Sequence, residues 1–159
     1  MANHQLSKGL DSKIVMAAQA AGTSDTITAT EVDMLGFEGV MFVAHIGTVT
    51  STGVATLTAK NSATSGSYGS GTIDTLLQPV SGATVQAVAT TGDSNTLLVI
   101  DIYRPPLRYV RAQIVRATAN VVIASMVAFK YNAFVQATTP SGVAAAGYDS
   151  TSNPTPSTI

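Results

Sequence analysis

The residue types that most often carry acid–base or nucleophilic chemistry are sparse in this chain of 159 residues. The two histidines, His4 and His45, lie far apart in the sequence, and His45 stands in an apolar segment beside no obvious partner. Nucleophilic catalysis needs a nucleophile, a base within hydrogen-bond reach and a group that orients the base. We therefore expect structural histidines, no catalytic residue and no zinc site at His45.

Acidic residues are equally scattered, and no D-x-D-x-D calcium loop is present. Glu31 and Asp33 are two positions apart in a predicted strand, so they project to one side and either bind a cation or pair with an arginine. Paired glycosidase carboxylates are disfavoured, because the chain has no Trp and few aromatic residues to stack on sugar rings. The absence of cysteine excludes disulfides and thiolate metal sites.

The glycines Gly66, Gly69 and Gly71 superficially resemble a phosphate-binding loop. No lysine follows them and no helix is predicted after them, so a flexible hairpin tip is the better interpretation. Taken together, these patterns predict a protein that is not an enzyme and that needs no metal or cofactor.

The arginines form the most informative pattern in the sequence, since all four lie between Leu97 and Tyr131. Three interpretations remain open for them. One is a partner interface, which Tyr and Arg favour. Another is internal pairing with carboxylates, for example a pair of Arg104 with Asp101, three positions before it, that pins the turn. A third is nucleic-acid binding, which nearby acids weaken. The predicted interface residues are Arg104, Arg108, Tyr109, Arg111, Gln113, Lys8 and Lys13.

Overall charge limits the classes of partner. Charged residues make up 11% of the chain and the net charge is −1, whereas soluble domains average roughly 25% charged residues. Bulk electrostatics therefore recruits neither nucleic acid nor an anionic membrane. The polar N-terminus has no apolar core of a signal peptide, and no apolar run has the length of a membrane helix.

Short runs in which apolar residues occupy every second position dominate the rest of the chain. They predict strands at Lys13–Ala17, Thr26–Val32, Glu38–Ile46, Val54–Lys60, Leu97–Tyr103, Tyr109–Arg116 and Val121–Tyr131. Turn signals separate them, including Leu35-Gly36, Thr52-Gly53 and Pro105-Pro106. Residues 73–78 are the one helix candidate, and a further strand around residues 84–89 is the alternative.

The expected architecture is an all-β jelly roll, an antiparallel sandwich of about eight strands in residues 12–137. Residues 1–11 read as a polar N-terminal arm. Residues 138–159 are rich in Thr, Ser and Pro and read as a flexible, low-complexity C-terminal tail.

Three segments together resemble a known group of proteins: DMLGFEGVMF at Asp33–Phe42, DIYRPPLRYVR at Asp101–Arg111 and RATANVVIASMVA at Arg116–Ala128. The chain resembles the head decoration, or cement, proteins of tailed bacteriophages over roughly residues 10–135. This resemblance implies a jelly-roll protein made in the host cytoplasm, which binds the major capsid protein on the outer surface of the virion and bridges capsomers, often as a homotrimer. It implies no catalytic residues and no direct contact with nucleic acid or membrane.

Two other classes remain as alternatives. One is a different virion component, such as a head–tail adaptor, a tail subunit or a fibre-anchoring subunit. The other is a glycan-binding module, which the scarcity of aromatic residues disfavours.

Overall fold

A computed structural model describes residues 10–68, 86–87 and 94–133. Sequence predictions for the N-terminal arm before Leu10, for residues 73–78 and for the tail lie outside these residues. The strands are β1 Leu10–Met16, β2 Gln19–Gly22, β3 Asp25–Thr28, β4 Val32–Asp33, β5 Phe37–Val49, β6 Val54–Ser62, β7 Gln86–Ala87, β8 Leu97–Tyr103, β9 Tyr109–Ala117 and β10 Val121–Ala133. None of the described segments forms a helix that is long and apolar enough to cross a membrane.

Two antiparallel sheets make up the fold. The first has the order β1-β10-β5-β8, with β2 also pairing with β10, and the second has the order β3-β9-β6-β7, with β4 also pairing with β9. If β1 with β2 and β3 with β4 are each counted as one interrupted strand, the eight strands pair first with last, second with seventh, third with sixth and fourth with fifth. This is a long hairpin rolled into a sandwich, so the predicted jelly roll is confirmed.

Strict alternation along the strands creates the core between the sheets. In β9, Val110, Ala112 and Ile114 are buried while Tyr109, Arg111 and Gln113 on the other side are half-buried, as the period-2 pattern predicts. In β5 the inward positions Val40, Phe42, Ala44 and Ile46 are fully buried. These apolar side chains pack against those of β6 and β10 and form one continuous core.

The predicted strand Thr26–Val32 is wrong in detail, because the chain divides it into β3 and β4. The Ala29 amide still donates to the Ala112 carbonyl of β9 at 3.0 Å, but the Thr30 amide donates to the Val15 carbonyl of β1 at 2.7 Å. Residues 29–31 therefore step away from the second sheet toward the first before β4 rejoins β9. Alternating residue types alone do not reveal this transfer of one hydrogen bond between sheets.

Predicted turns at two glycine-containing sites are present. Gly36 has a φ of +85°, the left-handed region that glycine tolerates best, between β4 and β5. Thr52-Gly53 turns the chain from β5 into β6, and the Gly53 amide donates to the Thr50 carbonyl at 2.8 Å. These two turns lie at opposite ends of β5, which carries the chain along the full length of the sandwich.

Candidate functional site

Three of the four arginines pair with carboxylates of the same chain. Arg116 is the most buried, at 5% exposure. Its guanidinium donates two hydrogen bonds to Asp25, at 2.6 and 2.5 Å, and Nη1 donates to the carbonyls of Ala20 and Val121. Asp25 has a lowered pKa because Arg116 hydrogen-bonds to its carboxylate. Internal pairing is thus the correct interpretation for Arg116, which closes one end of the sandwich.

At the other end, two ion pairs join the loop 33–38 to the loop 104–108. Arg108 donates to both carboxylate oxygens of Asp33, at 2.8 and 2.7 Å. Arg104 donates to Glu38 at 2.9 Å. Two backbone hydrogen bonds run alongside, from the Met34 amide to the Arg108 carbonyl and from the Arg104 amide to the Glu38 carbonyl. We call this pair of segments the stapled loops.

The ion pairs of the stapled loops favour the charged forms of both carboxylates and both guanidinium groups. The hydrogen bond from Arg108 lowers the pKa of Asp33, and that from Arg104 lowers the pKa of Glu38. The pKa values of both guanidinium groups are raised in turn by the carboxylates. Arg104 also has a positive φ of 51°, a conformation that is uncommon outside glycine. Four hydrogen-bonded connections therefore hold an intrinsically strained loop in one shape.

The predicted pair of Arg104 with Asp101 is wrong. Asp101 lies on the outer side of β8, where its carboxylate accepts a hydrogen bond from the Tyr131 hydroxyl at 2.6 Å. Burial and this carboxylate both raise the pKa of Tyr131. Arg104 instead follows the end of β8 and reaches Glu38 on the adjacent strand β5, because β5 and β8 are antiparallel and Tyr103 is in register with Gly39.

Glu31 organises a third contact at the same end. It accepts hydrogen bonds from the Ser65 hydroxyl, the Gly66 amide and the Tyr68 hydroxyl, which together lower its pKa. Arg111 lies over the ring of Tyr68, 4.0 Å from its centroid. Of the two interpretations for Glu31 and Asp33, pairing with arginine is correct for Asp33, while Glu31 holds the segment after β6.

The remaining predicted interface residues are dispersed. Tyr109 lies beneath the Arg108 guanidinium, at 5.1 Å from ring centroid to Cζ, and Gln113 lies between Thr28 and Thr58 in register on the second sheet. Lys13 lies on β1 of the first sheet, opposite Ala128. Lys8 lies outside the described residues. The structure thus gathers Arg104, Arg108, Tyr109 and Arg111 at one end and places Lys13 and Gln113 away from them.

Leu35 is a surface residue that the sequence did not single out. It is the most exposed large apolar side chain of the described residues, at 68%. Its amide donates to the Asp33 carboxylate at 2.9 Å, so Leu35 is fixed to the same acid that Arg108 holds. The signal in the sequence was the Leu-Gly turn, which marks a loop but says nothing of how rigidly that loop is held.

Both ends of the described chain lie beside the stapled loops. Leu10, where β1 begins, is in register with Tyr131 near the end of β10, and Ala133 is in register with Phe37. Residues 1–9 and 134–159 therefore join the sandwich at the end that carries Leu35 and the paired arginines.

Metal-ligating side chains do not cluster in the described ranges, where no group of three or more His, Cys, Asp or Glu is arranged to hold an ion. No protein-family model and no curated protein matches the sequence. The site offers a hydrogen-bonded surface with an apolar tip, in which Arg104 and Arg108 are paired with carboxylates and Arg111 lies over Tyr68.

Proposed function

We propose that this protein is a capsid decoration protein, a virion component that binds the major capsid protein on the outer surface of a phage head and stabilises the shell by bridging capsomers, as a homotrimer. The proposal combines the resemblance of Asp33–Phe42 and Asp101–Arg111 to cement proteins with the geometry of these same two segments. These segments contain the stapled loops, and the exposed Leu35 of the loops is the observation that carries the proposal.

Rigidity is the first argument for binding at the stapled loops. Two ion pairs and two backbone hydrogen bonds fix the loops before any partner arrives. A preorganised surface loses less conformational entropy on binding, so more of the contact energy appears as affinity. Exposed ion pairs of this kind contribute little to global stability. Their effect is better understood as holding Leu35 in position.

Leu35 itself supplies the second argument. A large apolar side chain that is 68% exposed on a fixed loop is suited to enter a pocket on another protein. The Arg108–Asp33 pair is next to Leu35, whose amide donates to Asp33, and the Arg104–Glu38 pair lies in the same loops, so the polar groups near the tip have balanced charges. A neutral, apolar tip inside a polar rim is the usual layout of a specific protein contact.

The position of the chain ends is the third argument. Residues 1–9 and 134–159 join the sandwich beside the stapled loops, so they start next to the surface that we place against the capsid. Segments that begin there have the shortest route to neighbouring capsomers. Contacts made by several linked subunits act together, because each later contact is intramolecular.

A pair of single substitutions tests this proposal. Leu35→Asp places a charge at the tip, and the matched control Thr52→Asp places the same charge in an exposed turn at the opposite end of β5. Both should unfold at the wild-type denaturant concentration. On purified heads stripped of decoration, we expect Leu35→Asp to bind at least tenfold more weakly and to lose the protection against heat release of DNA, and Thr52→Asp to behave as wild type.

Wild-type occupancy of the heads by Leu35→Asp would overturn the stapled loops as the capsid contact. Absence of any wild-type binding to heads, or a copy number near a dozen instead of hundreds per particle, would overturn the decoration role itself. Removal of residues 1–9 is the companion test for the N-terminal segment, and it leaves β1 with the Asp11–Lys130 ion pair intact.

A further inference from the structure

The two outward faces of the sandwich differ sharply in chemistry. On the second sheet most outward residues are polar: Thr56 and Thr26 flank Val115 in one row, and Arg111 lies beside Lys60 in another. On the first sheet, one row consists of Val99, Val43, Val127 and Ile14, in register across all four main strands. We refer to this side, with its neighbouring rows, as the outer face of the first sheet.

Exposure on this face is unusually high for apolar residues. Five large apolar side chains of the described residues are more than one third exposed, and four of them lie here: Ile14 at 62%, Leu97 at 60%, Tyr103 at 44% and Val99 at 39%. Met41 and Phe129, adjacent to one another in the next row, are half-buried. A contiguous apolar face that is rimmed by polar residues marks a contact with another macromolecule.

The face is also smooth and almost free of charge. Asp101 is the one charged residue in its rows, and the Tyr131 hydroxyl already donates to the carboxylate. To reach Asp101, the Tyr131 side chain lies across Gly39, where an added Cβ would come within 3.0 Å of the ring. Gly39 thus keeps the tyrosine flat against the sheet.

We infer that the outer face of the first sheet is where copies of this chain associate with one another. A partner that bears a strong charge finds only the Asp101 carboxylate here, which Tyr131 already engages. A second copy, in contrast, presents a matching and mostly apolar sheet, and the one carboxylate on each face, Asp101, already accepts a hydrogen bond from Tyr131. The inference goes beyond the proposed homotrimer, because a face that meets its own copy gives a two-fold pair and not a ring of three, and it does not depend on a capsid.

The size of the face sets the expected strength of association. Four strands lie about 4.8 Å apart, and each contributes seven residues with a rise of about 3.3 Å per residue, so the flat area of the face is roughly 400 Å². A standard stable interface takes about 800 Å² from each partner. The contact is therefore reversible and depends on concentration, and crowding of subunits on a surface strengthens it.

Charge insertion tests the inference in solution. We expect the wild-type mass in sedimentation equilibrium to rise with concentration from micromolar to millimolar, and Val99→Lys to remain monomeric over the same range. Val115→Lys is the matched control, because it puts the same charge on the outer side of the second sheet, and it should associate as the wild type does.

Cross-linking provides a second readout, which reports the face of the sandwich that lies at the contact. The chain has no cysteine, so Leu97→Cys introduces a single thiol on the outer face of the first sheet, and Thr26→Cys introduces one on the second sheet. With a short bismaleimide, Leu97→Cys should give at least tenfold more covalently linked copies than Thr26→Cys.

A wild-type chain that stays monomeric at millimolar concentration, or equal cross-linking of the two cysteine variants, would overturn the inference. Binding of Val99→Lys to heads separates the two proposals. If self-association is lost while single copies still bind heads, the inference holds and the capsid contact lies elsewhere. If heads are bound by a chain that never self-associates, the inference fails and the decoration role stands.

Discussion

Arg116 and Asp25 form a two-bond ion pair that ties β9 to β3 at the end of the sandwich opposite the stapled loops. The guanidinium is nearly inaccessible to water, while the carboxylate is 43% exposed. Water can therefore take the place of the carboxylate much more easily than that of the guanidinium. Two backbone carbonyls, of Ala20 and Val121, complete the arginine's hydrogen bonds. One side chain thus joins β2, β3, β9 and β10.

Loss of Arg116 should therefore cost far more than loss of Asp25. We expect Arg116→Ala to lower the free energy of unfolding by about 3 kcal/mol, because the carbonyls of Ala20 and of the buried Val121 both lose their donor. Asp25→Asn should cost about 1 kcal/mol, since water reaches that position and the carbonyl contacts of Arg116 persist. Urea unfolding of the two variants measures both values, and a larger loss for Asp25→Asn would contradict this assignment.

Gly22 is predicted to be intolerant of a side chain because of the same arginine. A Cβ at Gly22 would lie within 3.0 Å of the Arg116 guanidinium, which its four hydrogen bonds hold in place. We expect Gly22→Ala to destabilise the protein by about 2 kcal/mol and to cost much less in the Arg116→Ala background. Equal costs in the two backgrounds, measured by a double-mutant cycle, would show that the glycine is needed for another reason.

Stability should fall in acid. Asp25, Asp33, Glu31 and Glu38 all have pKa values lowered by hydrogen bonds in the folded state. A lowered folded pKa contributes stability above the unfolded values of 3.8 and 4.5, and this contribution is lost as the pH falls through the folded values. The urea midpoint should therefore decline below about pH 5. The decline should be shallower in Asp33→Asn, and an identical profile would contradict the role of its ion pair.

Asn61 is predicted to weaken the fold. It is 5% exposed and lies on the inward side of β6, and no described residue hydrogen-bonds to its side-chain amide. A buried amide without partners costs free energy that an apolar side chain of similar size does not. We expect Asn61→Leu to raise the free energy of unfolding by about 1 kcal/mol, measured by urea unfolding. A clear loss of stability would instead indicate that the amide has a partner in the folded protein.

Opening of the stapled loops should be detectable by hydrogen exchange at the Met34 amide. In Arg108→Gln the two bonds to Asp33 are lost, although global stability should change by less than about 1 kcal/mol because both partners are exposed. The Met34 amide, which donates to the Arg108 carbonyl, should then exchange with deuterium at least tenfold faster. Unchanged exchange at Met34 would mean that the backbone alone holds the loops together.

Much of the fold was predictable because apolar and polar residues alternate along the strands. The spacing of the apolar residues in β9 predicts that Val110, Ala112 and Ile114 point inward, and the same pattern predicts an inward Phe42 in β5. A period of two depends only on residues close in sequence. The split between β3 and β4 was not predictable, since the Thr30 amide bonds to Val15 of another strand.

The partners of the arginines also depend on contacts between residues that are distant in sequence. Sequence proximity suggested Asp101 for Arg104, yet Glu38, distant in sequence, lies closer in space because β5 and β8 are neighbours. Burial of Arg116 was equally hidden, since its pairing with Asp25 appears only once β3 is placed against β9. The apolar outer face of the first sheet also arises from register, which brings Ile14 into line with Val99 from the far side of the sheet.

The rolled hairpin has a consequence for how this protein comes into being. Because β1 pairs with β10, Leu10 finds its partner Tyr131 only after nearly all of the described chain has been synthesised. Contacts between residues so far apart in sequence slow folding, since loop closure precedes any gain from pairing. On the ribosome the first sheet stays open until its last strand emerges, so the chain completes its fold only after that strand has been translated.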